Sequence, residues 1–353
     1  MPYKNQITSR TKPQIAIEFT SETPVYKQIV MAIESLVDAG AYKNKDFVPS
    51  MNQLANDLQI SKETVKKAYS ILRDKKIIDS TQGKGFYVTN DRIKKTTILL
   101  LFDKLSTYKQ VLYHSLEAKI GALSEITIRL HNQDHVLFEQ FIEENLDKFD
   151  YYIVTPHFPL LPEIQKRVVN TLKKIPNRKL ILLDRYIGEL SGNFGSVYQD
   201  FENDIYSGLL QGIDTLKKFK RLNVVSMPGS LYATLIEEGI KRFCTENKIK
   251  YLTHKVMSIN KIHKHEVFLI LNSQLDLELI ELIRFAKLKG YKIGEDIGII
   301  SYNESPINEI ILDGLTVVST NFNQMGELVA DMIMKGSFRK IRCDFTLIRR
   351  NTF

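Results

Sequence analysis

The sequence predicts an α/β protein in which an N-terminal winged helix-turn-helix precedes a larger α/β domain with two lobes. Capped helices and a glycine-rich hairpin fill the first 90 residues, whereas strand-like runs alternate with amphipathic helical stretches beyond residue 96. A chain of 353 residues is too long for one compact core and suits two or three domains. We therefore expect a first domain over residues 1–90, a charged linker over 91–96 and a two-lobed domain over 97–353.

The composition is that of a globular protein, with 43% hydrophobic and 25% charged residues. The longest apolar run, Ile98 to Phe102, is far shorter than the roughly 20 residues of a membrane span. The N-terminus is polar and basic, unlike a secretory signal. Cys244 and Cys343 have no C-x-x-C partner, which argues against a disulfide framework or a structural zinc site. We expect a cytoplasmic protein without a membrane, metal or cofactor partner.

Positive charge is concentrated at the N-terminus. Residues 1–95 hold 16 Lys and Arg against 10 Asp and Glu, whereas the remaining residues hold 33 against 31. A basic domain on a nearly neutral body indicates that the first domain binds a polyanion.

The first domain begins with three short helices. Apolar residues recur at helical spacing from Pro24 to Asp38, and Gly40 follows where that helix ends. Ser50 and Ser61 have the N-cap chemistry that starts two further helices, separated by a short turn. Two short helices joined in this way form a helix-turn-helix.

The second helix of this pair is the predicted recognition helix. Its first two turns enter the major groove in such folds, and lysines there can reach phosphates or guanine edges. A hairpin with the basic tip Gln82-Gly83-Lys84-Gly85 follows, as the wing of a winged helix does. The candidate DNA-binding residues are Ser50, Asn52, Lys62, Thr64, Lys66, Lys67, Gln82, Gly83, Lys84 and Gly85.

Four blocks in this region carry a family resemblance. They are T-P-V-Y-K-Q-I, P-S-M-N-Q-L-A, I-S-K-E-T-V-K-K-A-Y and I-I-D-S-T-Q-G-K-G-F-Y-V. In this order they closely resemble the GntR-type winged-helix domain, which implies DNA binding. The family usually places arginine where Asn52, Lys62 and Lys66 stand. Because Arg and Lys are not equivalent in reading guanine, the operator sequence does not follow from the resemblance.

Beyond the linker, seven strand-like runs alternate with five helical stretches, which predicts parallel sheets covered by helices. The runs are Ile98–Phe102, Ile126–Leu130, Tyr151–Thr155, Leu180–Leu183, Asn223–Ser226, Val267–Leu271 and Ile297–Ser301. The helical stretches are Val111–Leu123, Leu137–Leu146, Asp204–Lys217, Ala233–Asn247 and Leu277–Lys289. Regular alternation over about 250 residues allows two α/β lobes.

Three stretches of this region resemble the effector domain of the LacI family, itself similar to periplasmic sugar-binding proteins. They are L-L-D-R with S-V-Y-Q-D-F, then G-E-D-I-G-I-I-S-Y-N, then L-T-V-V with N-Q-M-G-E. The resemblance implies a periplasmic-binding-protein-like sensor that holds a small sugar between its lobes. Positions matching the family's motifs are Asp184, Asn272 and Asn303, and polar residues after strand ends add Asp103, Tyr108, His157 and Arg185 as further candidate ligand-binding residues.

The combination of the two domains is similar to arabinose-type repressors. It implies a homodimeric, sugar-responsive repressor of a carbohydrate-utilisation operon, released from operator DNA by a sugar such as arabinose or fucose. An activator, a sugar-phosphate sensor of the same architecture and a sugar-binding protein without a DNA role remain alternatives. The sequence contains no G-x-S-x-G, H-E-x-x-H or P-loop pattern, so we do not expect an enzyme.

Overall fold

The structure is a computed structural model that describes residues 15–89, 95–226, 230–255, 262–271 and 277–353. The chain divides into two compact units, residues 1–94 and residues 95–353. The predicted linker over 91–96 falls mostly outside the described residues. Within the described ranges, no helix is long and apolar enough to cross a membrane.

The N-terminal unit is a winged helix-turn-helix. Its helices are α1 (Val25–Asp38), α2 (Met51–Asp57) and α3 (Lys62–Asp74), and β1 (Ile78–Thr81) pairs antiparallel with β2 (Gly85–Val88). The two predicted N-caps are formed, because Ser50 Oγ accepts from the Gln53 N–H at 3.1 Å and Ser61 Oγ accepts from the Thr64 N–H at 3.2 Å. The three helices share one apolar core, which includes the fully buried Ile29, Ile33, Val65 and Leu72.

The wing hairpin turns at Gly83. The Lys84 N–H donates to the Thr81 carbonyl at 3.0 Å, and Gly83 has a φ of 78°. A Cβ on Gly83 would meet no atom within 4 Å, so the left-handed backbone rather than lack of space favours glycine there.

The C-terminal unit contains two six-stranded sheets, each in its own lobe. The first lobe has the sheet order β13-β7-β6-β5-β3-β4, and all of its neighbouring strands are parallel. Its strands are β3 (Thr96–Phe102), β4 (Ser124–Leu130), β5 (Tyr151–Val154), β6 (Leu180–Arg185), β7 (Gly195–Gln199) and β13 (Lys340–Arg342). Its helices are α4 (Thr107–Ile120), α5 (His135–Asn145), α6 (Pro162–Leu172) and α11 (Phe322–Lys335).

The second lobe has the sheet order β14-β12-β11-β10-β8-β9, in which only β14 runs antiparallel to its neighbour. Its strands are β8 (Arg221–Val225), β9 (Tyr251–His254), β10 (Glu266–Ile270), β11 (Ile297–Tyr302), β12 (Thr316–Thr320) and β14 (Phe345–Ile348). Its helices are α7 (Phe201–Leu210), α8 (Ile213–Leu216), α9 (Ala233–Glu246) and α10 (Leu277–Lys289). The stretch predicted as one helix over 204–217 is therefore two helices, interrupted at Gly212, because glycine is a poor helix former. A Cβ at this position would lie 2.9 Å from Leu347 and 3.1 Å from Phe353.

The chain crosses between the lobes three times. It leaves the first sheet after β7, returns after β12 to form α11 and β13, and crosses again to end as β14. Side chains at the carboxyl ends of strands meet across the lobes: Gln199, at the end of β7, accepts a hydrogen bond from Thr320, at the end of β12. Ligands of open α/β sheets bind at such strand ends, so the cleft between these sheets is the candidate ligand site of this unit.

Candidate functional site

The outward face of α3 carries the predicted recognition residues. Val65, Ala68, Tyr69 and Leu72 are buried, which leaves Lys62, Lys66 and Lys67 exposed on the opposite face. Lys66 Nζ lies 3.6 Å from Glu63, and Lys67 Nζ lies 4.0 Å above the ring of Tyr26. Both contacts are exposed and weak, so the ammonium groups can exchange them for phosphates.

The remaining candidate DNA-binding residues lie at the start of α3, the start of α2 and the wing tip. Thr64 is half-buried, and its hydroxyl lies 2.8 Å from Ser61 Oγ. The hydroxyl of Ser50 is occupied by the α2 N-cap, which leaves the exposed Asn52 as the more available group there. Gln82, Gly83 and Lys84 are exposed at the wing tip, and Gly85 is half-buried.

In the C-terminal unit, a buried charge pair lies at the carboxyl end of β3. Asp103 directly follows β3, and Lys109 lies in the first turn of α4. Lys109 Nζ donates to Asp103 Oδ1, and both residues are at most 1% exposed. Burial lowers the pKa of Lys109 to about 8, and the nearby carboxylate of Asp184 opposes that shift. At pH 7 the lysine is therefore still mostly protonated, and its positive charge is paired with the carboxylate of Asp103.

His157 lies between two carboxylates of this cleft. Its Nδ1 is 3.7 Å from Asp103 Oδ1, and its Nε2 is 3.3 Å from Asp184 Oδ2. Burial lowers the pKa of His157 to about 3, although Asp184 acts in the opposite direction. The imidazole is therefore neutral at pH 7.

The second lobe contributes an aromatic wall to this group. The ring centroid of Tyr232 lies 5.1 Å from that of His157, and the Arg185 guanidinium lies 5.7 Å from the same tyrosine ring. Phe201 stacks on Tyr232 with the ring centroids 4.3 Å apart. Stacked aromatic faces of this kind suit the apolar side of a ring-shaped ligand.

Several buried polar atoms of the cleft lack a hydrogen-bond partner within the described part of the chain. They are Ser106 Oγ, Tyr232 Oη, Tyr302 Oη and Asn303 Oδ1, together with His157 Nε2 and Asp184 Oδ2, which face each other at 3.3 Å without a well-oriented hydrogen bond. Buried polar groups are normally paired, so a set of unpaired donors and acceptors at strand ends points to a polar ligand. Ser106 also lines a cavity of about 420 Å³, together with Gln110 of the first lobe and Ser301, Ser305 and Asn308 of the second.

The structure brings most of the predicted ligand-binding residues to this one cleft. Asp103, His157, Asp184 and Arg185 lie around the carboxylate and aromatic groups described above. Asn303 follows β11 with a left-handed φ of 69°. Their roles in ligand binding stay predictions.

Tyr108 and Asn272 differ from the other predicted ligand-binding residues. Tyr108 was expected in a loop, and this was wrong: it lies in the first turn of α4, because that helix begins at Thr107. Its ring packs against that of Phe322 with the centroids 4.4 Å apart. Asn272 lies outside the described residues. In the described ranges, no three His, Cys, Asp or Glu side chains are placed to hold a metal ion.

Sequence reasoning missed Lys109, Ser106, Gln199, Tyr232 and Tyr302. For Lys109 a signal was present, because the buried residues Leu112, Leu116 and Ile120 continue one helical stripe back to position 109. A charged residue in phase with an apolar stripe has to find a buried partner. No comparable local signal marks Tyr232, which the fold brings across from the other lobe.

The first domain matches a known family model. Residues 25–88 match the family described as "Bacterial regulatory proteins, gntR family". Over 85 residues the chain is 35% identical to the HTH-type transcriptional repressor YtrA of Bacillus subtilis, which covers 24% of this chain and 64% of YtrA. Over 93 residues it is 31% identical to the mannosyl-D-glycerate transport/metabolism system repressor MngR of Escherichia coli, covering 26% of this chain and 39% of MngR. The chain thus spans less than two thirds of the length of these relatives.

The two-lobed domain resembles solved structures of sugar regulators in fold. The lac repressor dimer, bound to operator and the anti-inducer ONPF, aligns with a TM-score of 0.57 and 14% identity over 73% of this chain and 94% of that one. A periplasmic binding protein/LacI transcriptional regulator from Alkaliphilus metalliredigens, complexed with D-xylulofuranose, aligns with a TM-score of 0.54 and 15% identity over 73% and 99%. At these identities the likeness shows the fold alone, which is a periplasmic-binding-protein-like pair of α/β lobes.

Proposed function

We propose that this chain, a GntR-type winged helix joined to a LacI-like two-lobed domain, is a transcription regulator that binds operator DNA and releases it when a small sugar binds. The DNA-binding part is supported by the family match over residues 25–88. The sensor part is carried by one observation, the convergence of unpaired buried polar atoms from both lobes at the carboxyl ends of parallel strands.

In the proposed complex, two chains pair so that two winged helices read the half-sites of a pseudo-palindrome. Lys62, Thr64, Lys66 and Lys67 enter the major groove. Ser50 and Asn52 contact the DNA from the start of α2, and the wing tip from Gln82 to Gly85 contacts the backbone. The exposure of the three lysines and of the wing tip supports this arrangement.

DNA binding is tested by selecting bound sequences from a random duplex library with the full chain. We expect the selected sequences to share a two-fold symmetric site, and the affinity to fall steeply between 50 and 200 mM salt. If no sequence is enriched and no duplex is retarded at physiological salt, the chain is a sugar-binding protein without a DNA role.

The chemistry of the cleft favours an uncharged sugar. Lys109 already pairs with Asp103, and Arg185 donates to the Pro156 carbonyl at 3.1 Å, so neither cation is fully available to an anionic ligand. The unpaired Oδ2 of Asp184 would repel a phosphate and accept a hydroxyl proton. Tyr232, stacked on Phe201, adds an apolar wall beside these polar groups. L-arabinose and L-fucose are the first candidates, as in arabinose-type repressors.

Sugar binding is tested by thermal melting of the full chain with L-arabinose, L-fucose and D-arabinose 5-phosphate. A ligand at about 100 times its Kd stabilises the folded state by roughly 2.7 kcal/mol. For a domain of this size we expect a rise in Tm of roughly 5–10 °C. Asp184→Asn should abolish the rise because the carboxylate is lost, whereas Asp331→Asn, on the surface of α11, should preserve it. A rise with the sugar phosphate alone would replace the free-sugar proposal by the sugar-phosphate alternative.

The direction of regulation is a separate question. As a repressor, the protein should lose operator affinity when the stabilising sugar is added. An activator would keep or gain operator affinity under the same conditions, which a titration of the selected DNA site with and without sugar distinguishes.

A further inference from the structure

Gln199 joins the strand ends of the two lobes through its carboxamide group. It ends β7 at the first lobe crossing and is 6% exposed. Its Nε2 donates to Asp184 Oδ1 in the first lobe, and its Oε1 accepts from Thr320 Oγ1, in the second lobe, at 2.7 Å. One side chain therefore ties a proposed ligand-binding residue to the strand from which the chain crosses back.

The hydrogen bonds continue from Thr320 to the other side of the cleft. Ser319 Oγ donates to the Thr320 carbonyl at 2.8 Å and accepts from the Glu304 N–H at 2.8 Å. Glu304 is the neighbour of Asn303, the proposed ligand-binding residue of the second lobe. A continuous path thus runs from Asp184 to the loop that carries Asn303, and it passes through Gln199.

The chemistry of this path requires a carboxamide at position 199. The carboxylate of Asp184 can only accept, whereas the hydroxyl of Thr320 donates towards Gln199. Glutamine presents a donor to the first and an acceptor to the second. A glutamate would place a carboxylate against Asp184, and a leucine would leave the buried Asp184 Oδ1 without its donor.

We propose that Gln199 is a positioning residue that couples the two halves of the cleft, holding Asp184 and the Asn303 loop in one fixed relation. This inference rests on the proposed ligand-binding function of the cleft. A ligand that displaces Asp184 would then also displace Thr320, through Gln199, at the second crossing of the chain. Ligand binding in the cleft is thereby linked to the relative position of the two lobes.

The test is hydrogen–deuterium exchange of the full chain, measured on the wild type, Gln199→Leu and the matched control Gln211→Leu. Gln211 also bonds through both ends of its carboxamide, to Phe345 and Leu347, but both partners lie in its own lobe. Loss of one supporting hydrogen bond corresponds to an opening equilibrium about fivefold larger. We therefore expect Gln199→Leu to accelerate exchange about fivefold in peptides containing residues 303–305, with helix α5 unchanged. Gln211→Leu should leave residues 303–305 at the wild-type rate.

Two results would overturn the proposal: wild-type exchange at 303–305 in Gln199→Leu, or equal acceleration in every peptide, which indicates global destabilisation. If Gln199→Leu does not fold, Thr320→Val decides, because it removes one hydroxyl with little change of shape. It should accelerate the same peptides, and wild-type rates there would reject the coupling.

A final arm adds L-arabinose as the probe. Slower exchange around Asp184 and Asn303 in the wild type, but around Asp184 alone in Gln199→Leu, supports the coupling. Equal slowing at both places in the variant overturns it and leaves sugar binding intact. No response of the wild type to L-arabinose counts against that sugar, whereas the exchange rates without ligand still decide the role of Gln199.

Discussion

His131 allows a quantitative prediction of how acid affects stability. It follows β4 and is fully buried, with its ring stacked on Phe158 at a centroid distance of 4.5 Å. Its Nε2 lies 3.0 Å from the Thr155 carbonyl, which accepts the N–H, and its Nδ1 has no partner in the described ranges. Burial lowers the pKa of His131 to about 4, whereas the hydrogen bond to Thr155 opposes the shift.

The sign of the effect follows from proton binding. In the unfolded chain a histidine binds its proton near pH 6.5, so between pH 6.5 and 4 the unfolded state holds a proton that folded His131 does not. Stability is therefore lost as the pH falls through this window. At about 1.4 kcal/mol per pH unit, the loss from pH 7 to pH 5 is about 2 kcal/mol for this residue. A glutamine side chain binds no proton in this pH range, so His131→Gln should remove this loss of stability.

The assay is equilibrium unfolding in denaturant at pH 7 and pH 5 for the wild type and His131→Gln. Between pH 7 and pH 5, the free energy of unfolding should fall by about 2 kcal/mol less in the variant than in the wild type. This difference does not depend on how stable the variant is at pH 7. His114→Gln is the control, because its side chain is 74% exposed on α4. A pH-dependent loss in His131→Gln as large as that of the wild type would refute the reasoning.

Four further predictions concern DNA binding and stability. Lys66→Ala should weaken operator binding and reduce the slope of log affinity against log salt by about one; Lys335→Ala, which removes the same charge from α11, should leave both unchanged in the same binding assay. Gly239→Ala should cost about 1–3 kcal/mol of unfolding free energy, because its Cβ would lie 2.3 Å from a backbone oxygen of α7. At Gly336 an added Cβ would meet no atom within 4 Å, and only the left-handed φ of 58° disfavours another residue. Gly336→Ala should therefore lower the free energy of unfolding, measured in denaturant, by about 1 kcal/mol. Ser61→Ala removes the N-cap of α3 and should cost about 1 kcal/mol of stability in the N-terminal unit, again measured by unfolding.

The sequence predicted the first domain in detail because its signals are local. The caps at Ser50 and Ser61 each depend on one hydroxyl and an N–H three residues away. The glycine at the wing tip reports a backbone conformation that needs no distant partner. The strand-like runs of the second domain were recognisable for a similar reason, because a parallel strand buried on both faces is continuously apolar.

The candidate cleft was only partly predictable. Asp103 could be proposed from the sequence because it directly follows an apolar strand, and parallel strands end at one edge of a sheet. Asp184 and Asn303 were proposed because they match motif positions in the resemblance to the LacI family. Lys109 lay before the predicted helical stretch and was not proposed, although the fold places it in α4 and buries it against Asp103. Tyr232 faces His157 only because two separately folded sheets meet.

By itself, the sequence determined the winged helix, the β-α alternation and the strand ends at which polar residues gather. Only the tertiary structure decided which sheet each late segment joins: β13 extends the first sheet, whereas β14 extends the second. It likewise placed Gln199 between Asp184 and Thr320, which are 15 residues before it and 121 residues after it in the chain. The physical reason is that capping and periodicity depend on neighbours within a few residues, whereas strand pairing and buried polar contacts depend on which distant segments pack together.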